Sequence, residues 1–152
     1  MNGETAIRQH LTLIASSDAP ARRRPALPCA ATYLLAHGRS WTPAALPDGM
    51  RRGEPKACCQ NAFRLATECP GRFLYAEGYA LDPDYGIPMP HVWCVTEAGT
   101  VLDPTWADAE RARYFGVAFD AVTTFRVHEA TGSYGVLEHP IWRVAASILL
   151  EP

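Results

Sequence analysis

The spacing of apolar residues in the first third of the chain predicts two helices and a long loop. Apolar side chains recur at intervals of three and four over residues 6–15, which is typical of an amphipathic helix. A second helix is expected over residues 29–37, because Pro28 stands near its start and Gly38 directly follows it. Residues 40–55 are rich in proline and glycine, so a loop is expected there.

The middle of the chain has the pattern of one helix followed by three strands. Residues 57–68 carry apolar side chains at helical spacing and precede a Pro-Gly pair that ends a helix. Residues 73–81 alternate in bulk and are rich in aromatic side chains, which favours a strand. Two shorter apolar runs, at residues 91–96 and 100–103, flank a turn at residues 97–99, so we expect them to pair as antiparallel strands.

The last third of the chain carries weaker signals. Residues 107–113 are expected to form a short helix, and residues 114–119 are interpreted as an aromatic turn. The apolar stretch at residues 141–150 fits either a strand or a buried terminal helix, and its pattern does not choose between them.

These elements predict a single α+β domain over residues 1–152, a length typical of one domain. The helix and strands of its core are expected at about residues 56–106. An N-terminal helical extension over residues 1–55 precedes this core, and a C-terminal extension over residues 107–152 follows it.

Composition narrows the function classes. The chain has 14 Lys and Arg against 16 Asp and Glu, so it lacks the basic excess of a nucleic-acid-binding domain. No apolar run approaches the ~18 residues of a membrane span, and the polar N-terminus does not resemble a secretory signal. We therefore expect a cytoplasmic protein that binds neither nucleic acid nor membrane. The arginines at residues 22–24 are expected in a solvated loop.

The five cysteines are an odd number in a chain without a secretion signal, which argues against a disulfide framework. Cys29, Cys69 and Cys94 are best explained as small buried hydrophobic residues. A zinc site is the alternative, but His91 and Cys94 lie three residues apart in a predicted strand and would face opposite sides of the sheet. We expect neither a metal nor a cofactor.

Three polar positions in the predicted core point to nucleophilic chemistry. Cys58 or Cys59 stands at the start of the central helix, where the helix dipole favours a thiolate. His91 opens one strand of the hairpin and Asp103 ends the next, so the two residues should lie roughly opposite each other. A thiolate beside an imidazole that a carboxylate orients is the general arrangement for acyl transfer.

Several short words of the sequence resemble the core of the transglutaminase-like, papain-like superfamily. They are Glu-Gly-Tyr-Ala at residues 77–80, His-Val-Trp at residues 91–93 and Val-Leu-Asp-Pro-Thr at residues 101–105, in the same order and on the same element types. Cys-x-x-Asn-Ala at residues 58–62 and Tyr-Phe-Gly-Val at residues 114–117 are similar to a small bacterial and phage group in that superfamily, to which we can attach no established substrate. The resemblance covers about a third of the chain.

The resemblance implies Cys58 as the nucleophile, His91 as the general base and acid, and Asp103 as the carboxylate that orients His91. Cys59 is the alternative nucleophile. The Cys-x-x-Asn-Ala word favours Cys58, because Asn61 then follows one helical turn later on the same face. Cys59 would point about 100° away and pack inward.

Two further residues are expected to support the site. Glu77 lies within an apolar strand, either at an edge facing solvent or as a buried partner of the site. Trp93 shares a face with His91 and either packs beside it, excluding water, or is an ordinary core tryptophan.

The resemblance implies an enzyme that acts on an amide or peptide bond through a thioester. Hydrolysis, by a protease, amidase or deamidase, is favoured over cross-linking, and the expected substrate is a peptide or protein, or a small amide. One alternative is a non-catalytic binding module that keeps the fold, and another is a phage or host-directed effector that uses the same site.

Overall fold

Residues 2–18 and 27–151 are described in the computed structural model, and they form the mixed α+β fold that the sequence predicts. The arginine run at residues 22–24, predicted as a loop, lies outside the described residues. The helices are α1 (Gly3–Asp18), α2 (Ala30–His37), α3 (Cys58–Glu68), α4 (Ala121–Thr131) and α5 (Trp142–Leu149). The strands are β1 (Arg39–Trp41), β2 (Leu74–Leu81), β3 (Pro88–Val95), β4 (Val101–Leu102) and β5 (Arg113–Phe119).

These strands form one antiparallel sheet in the order β1-β5-β2-β3-β4. The sheet curls so far that its two edge strands meet beside Thr42. The Thr42 N–H donates to the Gly99 carbonyl at 3.1 Å, and the Val101 N–H donates to the Thr42 carbonyl at 2.9 Å. The result is an antiparallel half-barrel.

Alternate residues of the strands face two separate cores. The larger core lies between the sheet and the helices and contains Val92, Cys94 and Phe115. The smaller core lies on the other face of the sheet and contains Trp93 and Tyr114. His91 contacts both of these aromatic rings, so it faces the side opposite to Cys94, as the strand alternation predicts.

The turn predicted at residues 114–119 is wrong, because this segment is an internal strand of the sheet, β5. It pairs with β1 on one side and with β2 on the other, and nearly all of its residues are buried. A strand covered on both faces shows no alternation of polar and apolar residues, which explains the error. Gly116 lies opposite Gly78, and a Cβ on Gly116 would lie 2.9 Å from the Trp93 ring, so only glycine permits this close approach.

Other differences from the predicted elements are smaller. β1 lies at the start of the predicted loop over residues 40–55, and β3 begins at Pro88, three residues before the predicted strand. The helix predicted over residues 107–113 is a 3-10 turn at Ala109–Arg111. At the C-terminus the open choice resolves to a helix, α5, and α4 is an element that the pattern did not predict.

Candidate active site

Cys58 is the first residue of α3 and is half-buried. The helix has no side-chain cap, because Ala57 occupies the N-cap position, whereas Cys29 caps α2 and Asp120 caps α4. First-turn N–H groups of an α-helix have no acceptor within the helix, and together with the helix dipole they favour a negative charge. The sulfur of Cys58 therefore stands where an anion is stabilised.

His91 and Asp103 form a buried pair on β3 and at the end of β4. The His91 Nε2 atom lies 2.7 Å from Asp103 Oδ2, and the two side chains are 3% and 0% exposed. The other carboxylate oxygen, Oδ1, accepts the N–H groups of Thr105 at 2.8 Å and Trp106 at 3.1 Å. These contacts fix the carboxylate and, through it, one edge of the imidazole ring.

Cys58 and His91 act on each other electrostatically, and each side chain shifts the pKa of the other toward its charged form. Because Nε2 is bonded to Asp103, Nδ1 is the nitrogen left to face the sulfur. The backbone N–H of Val92 also helps to lower the pKa of this thiol. β4 pairs with β3 only at Cys94 and Val95, so it does not cover the edge of β3 at this point, and the start of α3 lies there instead.

The electrostatics of this cluster favour a thiolate–imidazolium pair. The neighbouring Cys59 thiol is the main influence that lowers the pKa of Cys58 to about 4, and His91 adds to it while burial acts in the opposite direction. Burial would lower the pKa of His91, but the hydrogen bonds to Asp103 and Cys58 outweigh burial and raise it to about 9. Between these two values the pair holds the nucleophilic form of cysteine.

Cys59 turns away from this pair toward the C-terminal part of the chain. Its sulfur is half-buried and lies 3.6 Å from Glu138 Oε1. The hydrogen bond to Cys58, burial and the nearby carboxylates of Glu77 and Glu138 all raise the pKa of Cys59. Of the two adjacent cysteines, Cys58 therefore carries the thiolate and Cys59 stays a thiol.

Asn61 lies one turn after Cys58 and joins two loops of the site. Its Nδ2 atom donates to the Glu54 carbonyl at 2.9 Å and to Thr105 Oγ1 at 3.0 Å. A side chain at Gly53 would overlap Asn61, and the Gly53 N–H donates to the Pro104 carbonyl at 2.7 Å. The segment before Cys58 is thereby fastened to the segment after Asp103.

Glu77 is buried, which excludes the alternative of an edge position facing solvent. Its Oε2 atom accepts the Val136 N–H at 2.7 Å and the Tyr75 hydroxyl at 3.0 Å, and Oε1 accepts the Leu137 N–H at 3.0 Å. Burial raises the pKa of Glu77 to about 7, against these three hydrogen bonds, which lower it. Glu77 thus holds the segment that presents Glu138 to Cys59.

Three aromatic rings lie around His91, and the sequence predicted only the ring of Trp93. Trp93 is fully buried, with its ring centre 6.2 Å from that of His91, but Trp106 stacks on His91 at 4.1 Å. Tyr114 donates its hydroxyl to Asp103 Oδ2 at 2.9 Å. Trp106 directly follows the Asp-Pro-Thr word, a position that would have suggested it, whereas the strand carrying Tyr114 was not predicted.

No protein-family model, curated protein or solved structure matches this chain.

Within residues 2–18 and 27–151, no group of three or more His, Cys, Asp or Glu side chains is arranged to hold a metal ion. Cys94 is buried and donates its S–H to the Ala62 carbonyl at 3.2 Å, and Cys29 is the α2 cap. Among the helices of this described part, none has the length and apolar character needed to cross a membrane.

Proposed function

We propose that this chain is a cysteine-dependent acyl-transfer enzyme with a transglutaminase-like core. The observation that supports it most is the order Cys58–His91–Asp103, in which a half-buried thiol at a helix start meets a buried imidazole that a carboxylate holds at 2.7 Å. A core histidine that served packing alone would not need a charged partner on one side and a thiol on the other.

The proposed reaction begins with attack of the Cys58 thiolate on the carbonyl carbon of an amide. A C–S bond forms, and the His91 imidazolium gives its proton to the departing nitrogen as the C–N bond breaks. The products of this half are a thioester on Cys58, a free amine and a neutral His91. Water then attacks the thioester while His91 takes its proton, and cleavage of the C–S bond restores the thiolate and releases a carboxylic acid.

Two features of the site assist these steps. The backbone N–H of Cys58 lies in the uncapped first turn of α3, where it is suited to donate to the oxygen of the tetrahedral intermediate. Trp106 covers one face of the His91 ring at 4.1 Å and keeps water from it. With less water around it, the ion pair is screened less.

We propose a peptide or protein amide as the substrate, with water as the acceptor, as the resemblance of the 77–80, 91–93 and 101–105 motifs to the transglutaminase-like superfamily implies. A cytoplasmic location belongs to the same proposal, since the described cysteines are all free thiols, as is usual in a reducing compartment.

Site-selective alkylation tests the proposal. Iodoacetamide at pH 6, followed by mapping of the adducts by mass spectrometry, should label Cys58 far faster than the other four cysteines, because an ordinary thiol has a pKa near 8.5. His91→Ala should reduce the selectivity, because it removes the imidazolium that helps to stabilise the Cys58 thiolate. Cys59→Ser, the matched neighbour of Cys58→Ser, should keep a reactive Cys58.

A second arm tests the acyl step itself. Incubation with p-nitrophenyl acetate should add one acetyl group to Cys58, removable by hydroxylamine, and Cys58→Ser should not be acetylated. Slow and equal labelling of all five cysteines would contradict an enzyme and favour a non-catalytic binding module.

A further inference from the structure

Asp103 accepts four hydrogen bonds, and its two carboxylate oxygens accept them from different kinds of donor. Oδ1 is held by two backbone N–H groups, from Thr105 and Trp106. Oδ2 is shared by two side chains, His91 at 2.7 Å and Tyr114 at 2.9 Å. The imidazole and the phenol therefore donate to the same oxygen.

The phenol is held firmly in this position. Tyr114 is 1% exposed, and its strand pairs on both sides, with Trp41 of β1 and Ala80 of β2. Its ring meets Trp93 edge-on at 5.0 Å. Burial, followed by the nearby charge of Asp103, raises the pKa of Tyr114 well above its usual range, so the hydroxyl remains a donor at every working pH.

We propose that Tyr114 is a positioning residue that shares Asp103 Oδ2 with His91 and thereby sets how strongly the carboxylate holds the imidazole. This rests on the proposed function, since it assigns Tyr114 a role in the same site. A donor on a carboxylate oxygen draws off part of its negative charge, so less charge is left for a second donor on that oxygen. The phenol thus weakens the His91–Asp103 bond and makes the imidazolium a readier proton donor.

An ordinary core tyrosine would lie in the same place without this effect, so the test must measure His91 itself. The titratable groups that act on the cluster come from several elements: Cys58 from α3, Asp103 from the end of β4, and, on Tyr114, the more distant Asp82 and Glu110. Each of these stays unchanged when only the Tyr114 hydroxyl is removed.

The experiment is an NMR titration of the His91 ring in full-length protein labelled with 13C-histidine, its signal assigned by its absence in His91→Ala. Tyr114→Phe should raise the titration midpoint of His91 by about 0.5–1 pH unit, the effect of losing part of one charge-assisted hydrogen bond. Tyr75→Phe is the matched control, because it removes another buried phenol hydroxyl, bonded to Glu77 and to the Tyr134 carbonyl, and should leave the midpoint unchanged.

A second variant guards against misfolding of Tyr114→Phe. Genetically encoded 3-fluorotyrosine at position 114 keeps the shape and the hydroxyl but is a stronger donor, so it should lower the midpoint. A midpoint that stays at the wild-type value in both variants, or shifts in the opposite direction in either, overturns the proposal. Iodoacetamide labelling of the wild type separates this from the proposed function: selective reaction of Cys58 with unmoved midpoints refutes only the role of Tyr114.

Discussion

Replacing Glu77 with glutamine should change how the stability of the protein depends on pH. Glu77 is buried on β2, and its carboxylate accepts the N–H groups of Val136 and Leu137 and the hydroxyl of Tyr75. Burial raises the pKa of this carboxyl from 4.5 to about 7. Because the folded state holds the proton more tightly than the unfolded chain, the contribution of Glu77 is fully present below pH 4.5 and is lost as the pH rises to about 7.

The size of the effect follows from this shift. One pKa unit corresponds to about 1.4 kcal/mol, so the whole shift from 4.5 to about 7 amounts to about 3.5 kcal/mol, of which about 2.5 kcal/mol falls between pH 5 and pH 8. A glutamine at position 77 carries no titrating proton. The substitution also adds an offset that does not change with pH. Apart from this offset, the free energy of unfolding of Glu77→Gln minus that of wild type should rise by about 2.5 kcal/mol from pH 5 to pH 8.

Urea unfolding at pH 5, 6, 7 and 8, in the presence of a reductant, measures this difference. Glu129→Gln is the matched control, because it removes one carboxylate from an exposed position on α4. Its free energy of unfolding relative to wild type should stay the same from pH 5 to pH 8. If the free energy of unfolding of Glu77→Gln relative to wild type is also constant between pH 5 and pH 8, the reasoning is refuted. It would mean that the three donors offset the burial of the charge completely.

Three further changes test the site. Asp103→Asn removes the charge opposite His91, lowers the pKa of its imidazole, and should slow iodoacetamide labelling of Cys58 at pH 6 at least about tenfold; an unchanged rate would mean that His91 does not activate the thiol. Trp106→Ala uncovers the His91 ring and should speed exchange of its N–H proton with water, as seen by NMR; equal exchange would show that the indole is not a shield. Asn61→Ala leaves a carbonyl and a hydroxyl without their donor and should lower the free energy of unfolding by about 2–3 kcal/mol, measured in urea, whereas a loss below ~0.5 kcal/mol would show that these loops are held by other contacts.

The residues proposed to carry the chemistry were predictable because they sit in short words on adjacent elements. The hairpin register places Cys94 opposite Leu102 and Val95 opposite Val101. Extended by one residue, the same register puts Asp103 beside Trp93, on the face that also carries His91. The His91 side chain is long enough to cross this diagonal, so the position of the turn is enough to predict that His91 and Asp103 lie close together.

The partners of those residues were not predictable for a physical reason: they come from distant parts of the chain. Tyr114 reaches Asp103 only because β5 inserts between β1 and β2, a pairing that local alternation does not record in a strand buried on both sides. From the sequence, Glu77 fits either an exposed or a buried position, because nothing near it in sequence supplies a partner. Its donors lie about sixty residues later, at Val136 and Leu137.

Which of the two adjacent cysteines faces His91 is also not predictable from the sequence. Neighbouring residues of a helix point about 100° apart, so only one of two adjacent cysteines can face a given partner, but sequence does not say which. The structure shows that it is Cys58. His91 and Val92 lie on the part of β3 that β4 does not pair with, and both act on Cys58 at the start of α3. Cys59 is then left to Glu138, whose nearby carboxylate disfavours a second thiolate. The two adjacent thiols thus have opposite charge preferences: the pKa of Cys58 is lowered and that of Cys59 is raised.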